Sequence, residues 1–340
     1  MSDPPFLDLP SAHSVDSLPV RTTTTDLLDL DKVAAHITQA IVHRRYQGTT
    51  DPFTYLIEKH CLVNVGSTYY ATLAGILCFG RKPQQTFPTA LVDIGRYRGV
   101  EAVSYDVVHL EKGIAGTIFD QLSRVEEYLW STMNRGMTLD KQSFQRIEIP
   151  EYPQAVIREL CVNMLVHRDY LNFLTNARIQ IFRNRIEWIS PGGLPNGITV
   201  QNLLQEQAAR NPIMLSILYE AGYVEAFGQG LDTVVAVLKH EDMLSPHFHD
   251  TGASFIVSVY GRDMTLLDGQ PVGSLNDTQR LLLSFIRGQG EVTPRQLREI
   301  FPARSERSLQ RDIRVLLDDG LLEQLGGSRN LIYRASVRRV

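Results

Sequence analysis

Glu159, Asn163 and His167 fall four residues apart in the run RELCVNMLVHRDY (residues 158–170), where most other positions are apolar. Four residues is about one helical turn, so in a helix the three polar groups form a single stripe. Burying a carboxylate and an amide without partners costs several kcal/mol each, so the stripe must meet polar protein groups or a ligand. An amide oxygen suits a hard cation, and a carboxylate suits a general base. Two glycine-rich turns follow, PGGLPNG (191–197) and FGQG (227–230). The second opens a helix, where free N–H groups and the helix dipole suit phosphate. An internal hydrogen-bond network would also satisfy the stripe, but the glycine turns favour a pocket.

These residues need elements to hold them. Apolar periodicity predicts a helix over VIRELCVNMLVH, with Pro153 before it and Glu151 as an acidic first turn. Two strands, ARIQIF and RIEWIS, meet at Arg183-Asn184 as in a tight hairpin. A helical stretch through LLQEQAARNPIMLSILYEAG, a helix LDTVVAVLKH and a strand SFIVSVY complete this unit, expected at 146–262. Before it, residues 26–145 read as a mixed α/β domain, with helices in DLDKVAAHITQAIVHRR, YYATLAGILCFGR and IAGTIFDQLSRVEEYLWSTMNRG and a strand in TALVDIGRYRG. Residues 1–25, with four prolines and no periodicity, read as a flexible leader, and 263–274 as a linker.

Residues 275–340 form a third unit of different composition. They hold twelve Arg, no Lys and eight acids, a charge of +4, so residues 1–274 carry −8 of the net −4. Three helical patterns precede a hairpin with a Gly326-Gly327 turn, the order of a winged helix. On the third helix Leu309, Ile313, Leu316 and Leu317 face inward. Ser305, Arg307, Ser308, Gln310, Arg311 and Arg314 face outward, and Arg329 sits in the wing. Arg can fork onto guanine edges or phosphates and Ser onto either, so duplex DNA is the expected partner of this face. The alternative is a winged helix that binds protein. A dimer is expected, because such readers usually address two half-sites.

No stretch reaches the roughly 18 uninterrupted apolar residues of a membrane span. Cys61, Cys78 and Cys161 are scattered, giving neither a disulfide framework nor a zinc pair. A cytoplasmic protein is therefore expected. His247-Phe248-His249-Asp250, with His240 upstream, resembles a ligand cluster but reads better as a solvated loop. Arg168 and Asp169 could touch phosphate or cap the helix end. Trp130 and Trp188 are expected in the core.

In their order these elements resemble the GHKL ATPase fold, an α/β sandwich of the Bergerat type, and the whole chain is expected to be α+β. The N-box E-x-x-x-N is matched by Glu159 and Asn163, with His167 one turn later. The G-x-G-L box is matched by Gly228-Gln229-Gly230-Leu231, and TGASFIVSVY resembles the closing G-T-x-F strand. The resemblance implies ATP and Mg²⁺ as cofactors, Asn163 as the metal ligand and Glu159 as the residue that activates water. It also implies nucleotide contacts from His167, Asp169, Ser190, Gly192, Gly193, Gly228 and Gly230. At the D-x-G-x-G box the sequence departs, reading Ser190-Pro191-Gly192-Gly193-Leu194, with Ser where the base-reading Asp belongs.

Read whole, the chain resembles the ATP-binding part of bacterial proteins described as helicase-like or as transcriptional regulators. A Schlafen-type AlbA domain usually begins those proteins and is expected to be missing here. No G-x-x-x-x-G-K-[ST] phosphate loop supports a helicase activity. The C-terminal SERSLQRD resembles the recognition helix of DeoR-like winged-helix regulators. The expected function is a DNA-binding transcriptional regulator that binds or senses ATP. The alternatives are a DNA-stimulated ATPase of DNA repair or antiphage defence, and a degenerate, non-enzymatic scaffold.

Overall fold

A computed structural model describes residue 6 and residues 14–21, 23–139, 146–206, 208–224, 230–262, 275–319, 321–327 and 330–336. The linker expected at 263–274, Gly228 and Arg329 lie outside them. The chain is mixed α and β, as expected.

The first half contributes α1 (Leu30–Val42), α2 (Pro52–Glu58), the hairpin β1 (Leu62–Val65) and β2 (Thr68–Ala71), α3 (Leu73–Phe79) and α4 (Pro83–Thr86). Side-chain caps start the longer helices here: Asp29 and Asp51 accept from Lys32 N and Thr54 N. Then come β3 (Val92–Tyr97), β4 (Val107–Ile114), α5 (Ile118–Thr132) and the hairpin β5 (Arg135–Leu139) and β6 (Arg146–Pro150). Thr117 and Asp120 close a capping box on α5.

Next are α6 (Gln154–Val166), β7 (Ala177–Ile181), β8 (Arg185–Pro191), α7 (Pro212–Glu220), α8 (Gly230–His240), β9 (His247–Asp250) and β10 (Ser254–Tyr260). Six strands make one sheet in the order β4-β3-β7-β8-β10-β9. Only the β3–β7 pair is parallel, with Val92 opposite Ala177 and Arg96 opposite Ile181. Helix α6 lies on β8, between α5 and α8. Strands from both sides of residue 145 thus share one sheet, and one cluster of buried side chains runs from Phe6 to Val259.

Three local expectations differ from the structure. The helix expected from Leu203 onward starts only at Pro212, because the residue before a proline is barred from helical geometry. Part of the expected leader is packed: Asp16 is fully buried and accepts from Ile213 N (2.8 Å) and Met214 N (3.1 Å), capping α7 from a distance. Glu151 precedes α6 instead of lying in its first turn. It is buried and accepts from Asn134 Nδ2 at 2.7 Å.

The C-terminal residues fold into α9 (Asp277–Gln289), β11 (Glu291–Val292), α10 (Pro294–Ile300), α11 (Glu306–Asp318), β12 (Leu322–Leu325) and β13 (Ile332–Ala335). The three strands pair in the order β11-β13-β12. They have their own core, built on Leu282, Phe285, Ile286, Leu297, Leu309, Ile313 and Leu316, which Leu244 of the main body joins. Arg183 donates to Gly288 O at 2.9 Å, tying the β7–β8 turn to α9. No described helix is long and apolar enough to cross a membrane.

Candidate functional site

Helix α6 is buried almost all round because eight of its thirteen residues are inaccessible and apolar. Its polar stripe opens onto a cavity of about 340 Å³. The floor comes from β8 and β10: Trp188 and Ser190 point the same way, two residues apart, opposite Val257 and Phe255. Trp188 Nε1 donates to Cys161 Sγ (3.4 Å) and Ser190 Oγ to Met164 O (2.8 Å), which fixes α6 on the sheet. Leu194, Pro195, Ile198 and Leu203, in the long β8–α7 connection, form an apolar wall.

Seven sequence-predicted residues line this cavity together: Glu159, Asn163, His167, Ser190, Gly192, Gly193 and Gly230. Asn163 Nδ2 donates to Glu159 O (2.9 Å) and to Glu159 Oε1 (2.8 Å). Both amide hydrogens are thereby committed, and the amide oxygen Oδ1 is left as acceptor for a cation. Gly230 opens α8 directly against this pair, so that a Cβ there would run into Glu159 Oε1. A side chain there would displace the Glu159 carboxylate, and the helix N-terminus points its positive end at the stripe. Gly192 has φ +96°, and a Cβ at that position would lie 2.6 Å from Asp169 Cβ.

His167 ends α6. Burial, reinforced by the Arg210 guanidinium, pushes it down to about 4, so it is neutral at physiological pH. The sign of the consequence follows from linkage. The unfolded chain takes up this proton below its ordinary value of 6.5, while the folded chain resists until about 4. The stability from keeping His167 neutral is present above 6.5 and is lost as pH falls from 6.5 towards 4, by about 3 kcal/mol at most. Urea unfolding of wild type and His167→Gln at pH 7.5 and 4.5 checks this: the gap between the two proteins should shrink or reverse at acid pH. A constant gap would show that His167 is not buried neutral.

Arg168 and Asp169 resolve as structure. Arg168 is fully buried, donates to the carbonyls of Leu91, Thr89 and Thr175, and stacks on Tyr170. Asp169 Oδ1 accepts from Leu171 N at 2.9 Å, and Asp169 is not among the residues lining the cavity. His247-Phe248-His249-Asp250 is not a loop but the edge strand β9, paired along β10. Its exposure alternates, with the two histidines outward, which is the period-two signature of a half-buried strand. Among the described residues, no group of three His, Cys, Asp or Glu is placed to hold a metal. Trp188 is buried as expected, and Trp130, half-buried, lies under Arg135.

Two supporting residues were not anticipated. Arg210 Nε donates to His167 O (3.1 Å) and its Nη2 to Gly193 O, clamping the end of α6 to the glycine turn. Asn211, buried, donates to Val166 O (2.6 Å) and Arg168 O (2.9 Å). The tripeptide RNP was their only trace in the sequence, and one arginine before a proline helix start has no spacing to mark it.

On α11, Arg307, Gln310, Arg311 and Arg314 are exposed while Leu309, Ile313 and Leu316 are buried. Ser305 caps the helix by accepting from Ser308 N (3.2 Å), and Ser308 is half-buried.

Residues 175–259 match the family model described as "Putative ATP-dependent DNA helicase recG C-terminal". This marks β7 to β10, with the glycine turn and α8 between them, as an ATPase-like segment. A crystal structure of the DIP2311 protein from Corynebacterium diphtheriae is similar over 95% of this chain and 64% of its own length. Its TM-score is 0.58 at 16% identity, a likeness of fold. The chain thus spans under two thirds of that protein. No curated protein gives a match.

Proposed function

We propose that the α6 cavity is a Mg-nucleotide site of the GHKL kind and that residues 275–336 are a winged helix that contacts DNA. Together they would make the protein a nucleotide-sensing DNA-binding regulator. The observation that carries this reading is the meeting of Glu159, Asn163, Ser190, Gly192 and Gly230, from three separate segments, around one cavity. The donor set fits the cofactor. Asn163 Oδ1 would hold Mg²⁺, the start of α8 would receive phosphate, and the apolar floor would take the base. Bound Mg²⁺ would supply charge neutralisation of the phosphates. Glu159 stands beside Asn163 as a base for water, so any hydrolysis should vanish in Glu159→Ala. Movement of the wall beyond Leu194 on nucleotide binding would reposition the C-terminal unit. A dimer on two half-sites completes the proposal.

Ser190 gives the reading a sharp test. Its hydroxyl hydrogen is spent on Met164 O, so Oγ meets a ligand as an acceptor. An acceptor suits the exocyclic amine of adenine and not the carbonyl of guanine. Competition binding should therefore favour ATP over GTP in the wild type, and Ser190→Ala should erase roughly tenfold of that preference. Equal affinity for both nucleotides in the wild type would sink this role for Ser190.

A further inference from the structure

A second cavity, of about 350 Å³, lies at the opposite end of α6 and β8 from the first. Arg96, Arg98 and Arg183 line it together with Glu151 and Tyr152. The arginines come from two places: Arg96 and Arg98 from the end of β3 and just beyond it, and Arg183 from the β7–β8 turn. Exposure falls inward, with Arg98 and Arg183 at the surface, Arg96 half-buried, and Glu151 and Tyr152 buried. Three arginines therefore share this cavity with one carboxylate, and it is the charge of Arg96 that acts on that carboxylate.

The polar groups of this cavity are not closed upon one another. The Arg96 side chain makes no hydrogen bond with a described residue, although its charge is felt by Glu151. Glu151 is held by Asn134 instead. Tyr152 is 2% exposed, and the Gly261 N–H beside it is directed to Asn184 O (3.1 Å). A half-buried guanidinium that lines a cavity without a hydrogen-bond acceptor leaves its N–H donors open to one. Burial raises the Glu151 carboxyl to about 7, so at neutral pH the acid cancels only part of the arginine charge.

We propose that this second cavity binds a small, multiply charged oxyanion, its phosphate or carboxylate oxygens held by Arg96, Arg98 and Arg183. Guanidinium forks match such oxygens two at a time, and three of them on two segments favour a polyanion over a single carboxylate. The site does not depend on the nucleotide reading of the first cavity. Arg183 also holds Gly288 O of α9, so the anion shares a ligand with the C-terminal unit.

The experiment is calorimetric titration of the full chain with inorganic pyrophosphate and, separately, citrate, in EDTA and without nucleotide. Saturable binding of either probe is expected; pyrophosphate alone would indicate a phosphate ligand and citrate alone a carboxylate. Arg96→Leu should weaken it roughly tenfold or more. The Asn163→Ala variant, altered only in the first cavity, should bind as the wild type does. Should Arg96→Leu fail to fold, Arg183→Leu at the surface replaces it with the same expectation. Absence of saturable binding for both probes overturns the proposal, as does binding that survives the arginine variants or disappears in Asn163→Ala.

Discussion

Asn163→Ala is expected to weaken Mg-nucleotide binding roughly a hundredfold or more while leaving the fold intact, because it removes the proposed cation ligand. The physical reasoning rests on how Asn163 is held. Both of its amide hydrogens go to Glu159, which leaves Oδ1 as acceptor and fixes its direction. Alanine is also the better helix former, by about half a kcal/mol, so α6 gains locally what it loses in the side-chain bond. Calorimetry with Mg-ATP and a thermal melt, run together, separate the two effects. Asn163→Asp sharpens the comparison: it keeps an oxygen for the metal but places a second carboxylate against Glu159 and removes the donors. Weak binding with a lowered melting temperature is expected for Asp, and weak binding with an unchanged one for Ala.

The second large effect belongs to α11. Arg311→Ala combined with Arg314→Ala should reduce affinity for duplex DNA and flatten its dependence on salt. If each arginine neutralises one phosphate, the slope of log K against log salt falls by about 0.9 per residue. Both side chains are exposed and neither forms an ion pair with a described residue, so stability should not change. Asp312 on the same helix makes the control. It is buried and accepts from Gln279 Nε2 at 3.0 Å, so Asp312→Ala should destabilise the C-terminal unit without a specific effect on the salt slope. If the double arginine variant binds DNA with unchanged affinity and slope, α11 does not face the duplex.

How much of this was legible in the sequence depends on the range over which each feature is encoded. The α6 stripe was legible because helical periodicity is local: three polar residues four apart in an apolar run admit few other arrangements. The inward and outward faces of α11 were legible for the same reason. Ser190 and the glycine turn could be placed by resemblance, and the structure brings them to the α6 stripe through Trp188 and Ser190 contacts that no spacing encodes. The parallel pairing of β3 with β7 joins residues about eighty positions apart and leaves no local signature, so the first half of the chain read as a separate domain. Asp16 was hidden by its surroundings, since a proline-rich composition argues for a mobile leader while one carboxylate can pin such a segment to a helix start. His247 to Asp250 had the alternation of a strand in plain view, but four residues are too few to weigh it against a loop.

The Arg210 clamp shows how a site is completed by residues without chemistry of their own. Its two bonds join the end of α6 to Gly193, the two borders of the proposed phosphate and base regions. Its charge also helps to keep His167 neutral. On the proposed reading, stability near pH 5 and nucleotide affinity would be linked through one guanidinium.

The most direct measurement is titration of the full-length chain with Mg-ATP, with and without duplex DNA. Saturable binding, abolished by EDTA and by Asn163→Ala, is the expected result. A wild-type chain that is folded by thermal melt yet takes up no Mg-ATP under either condition would contradict the nucleotide site at its root.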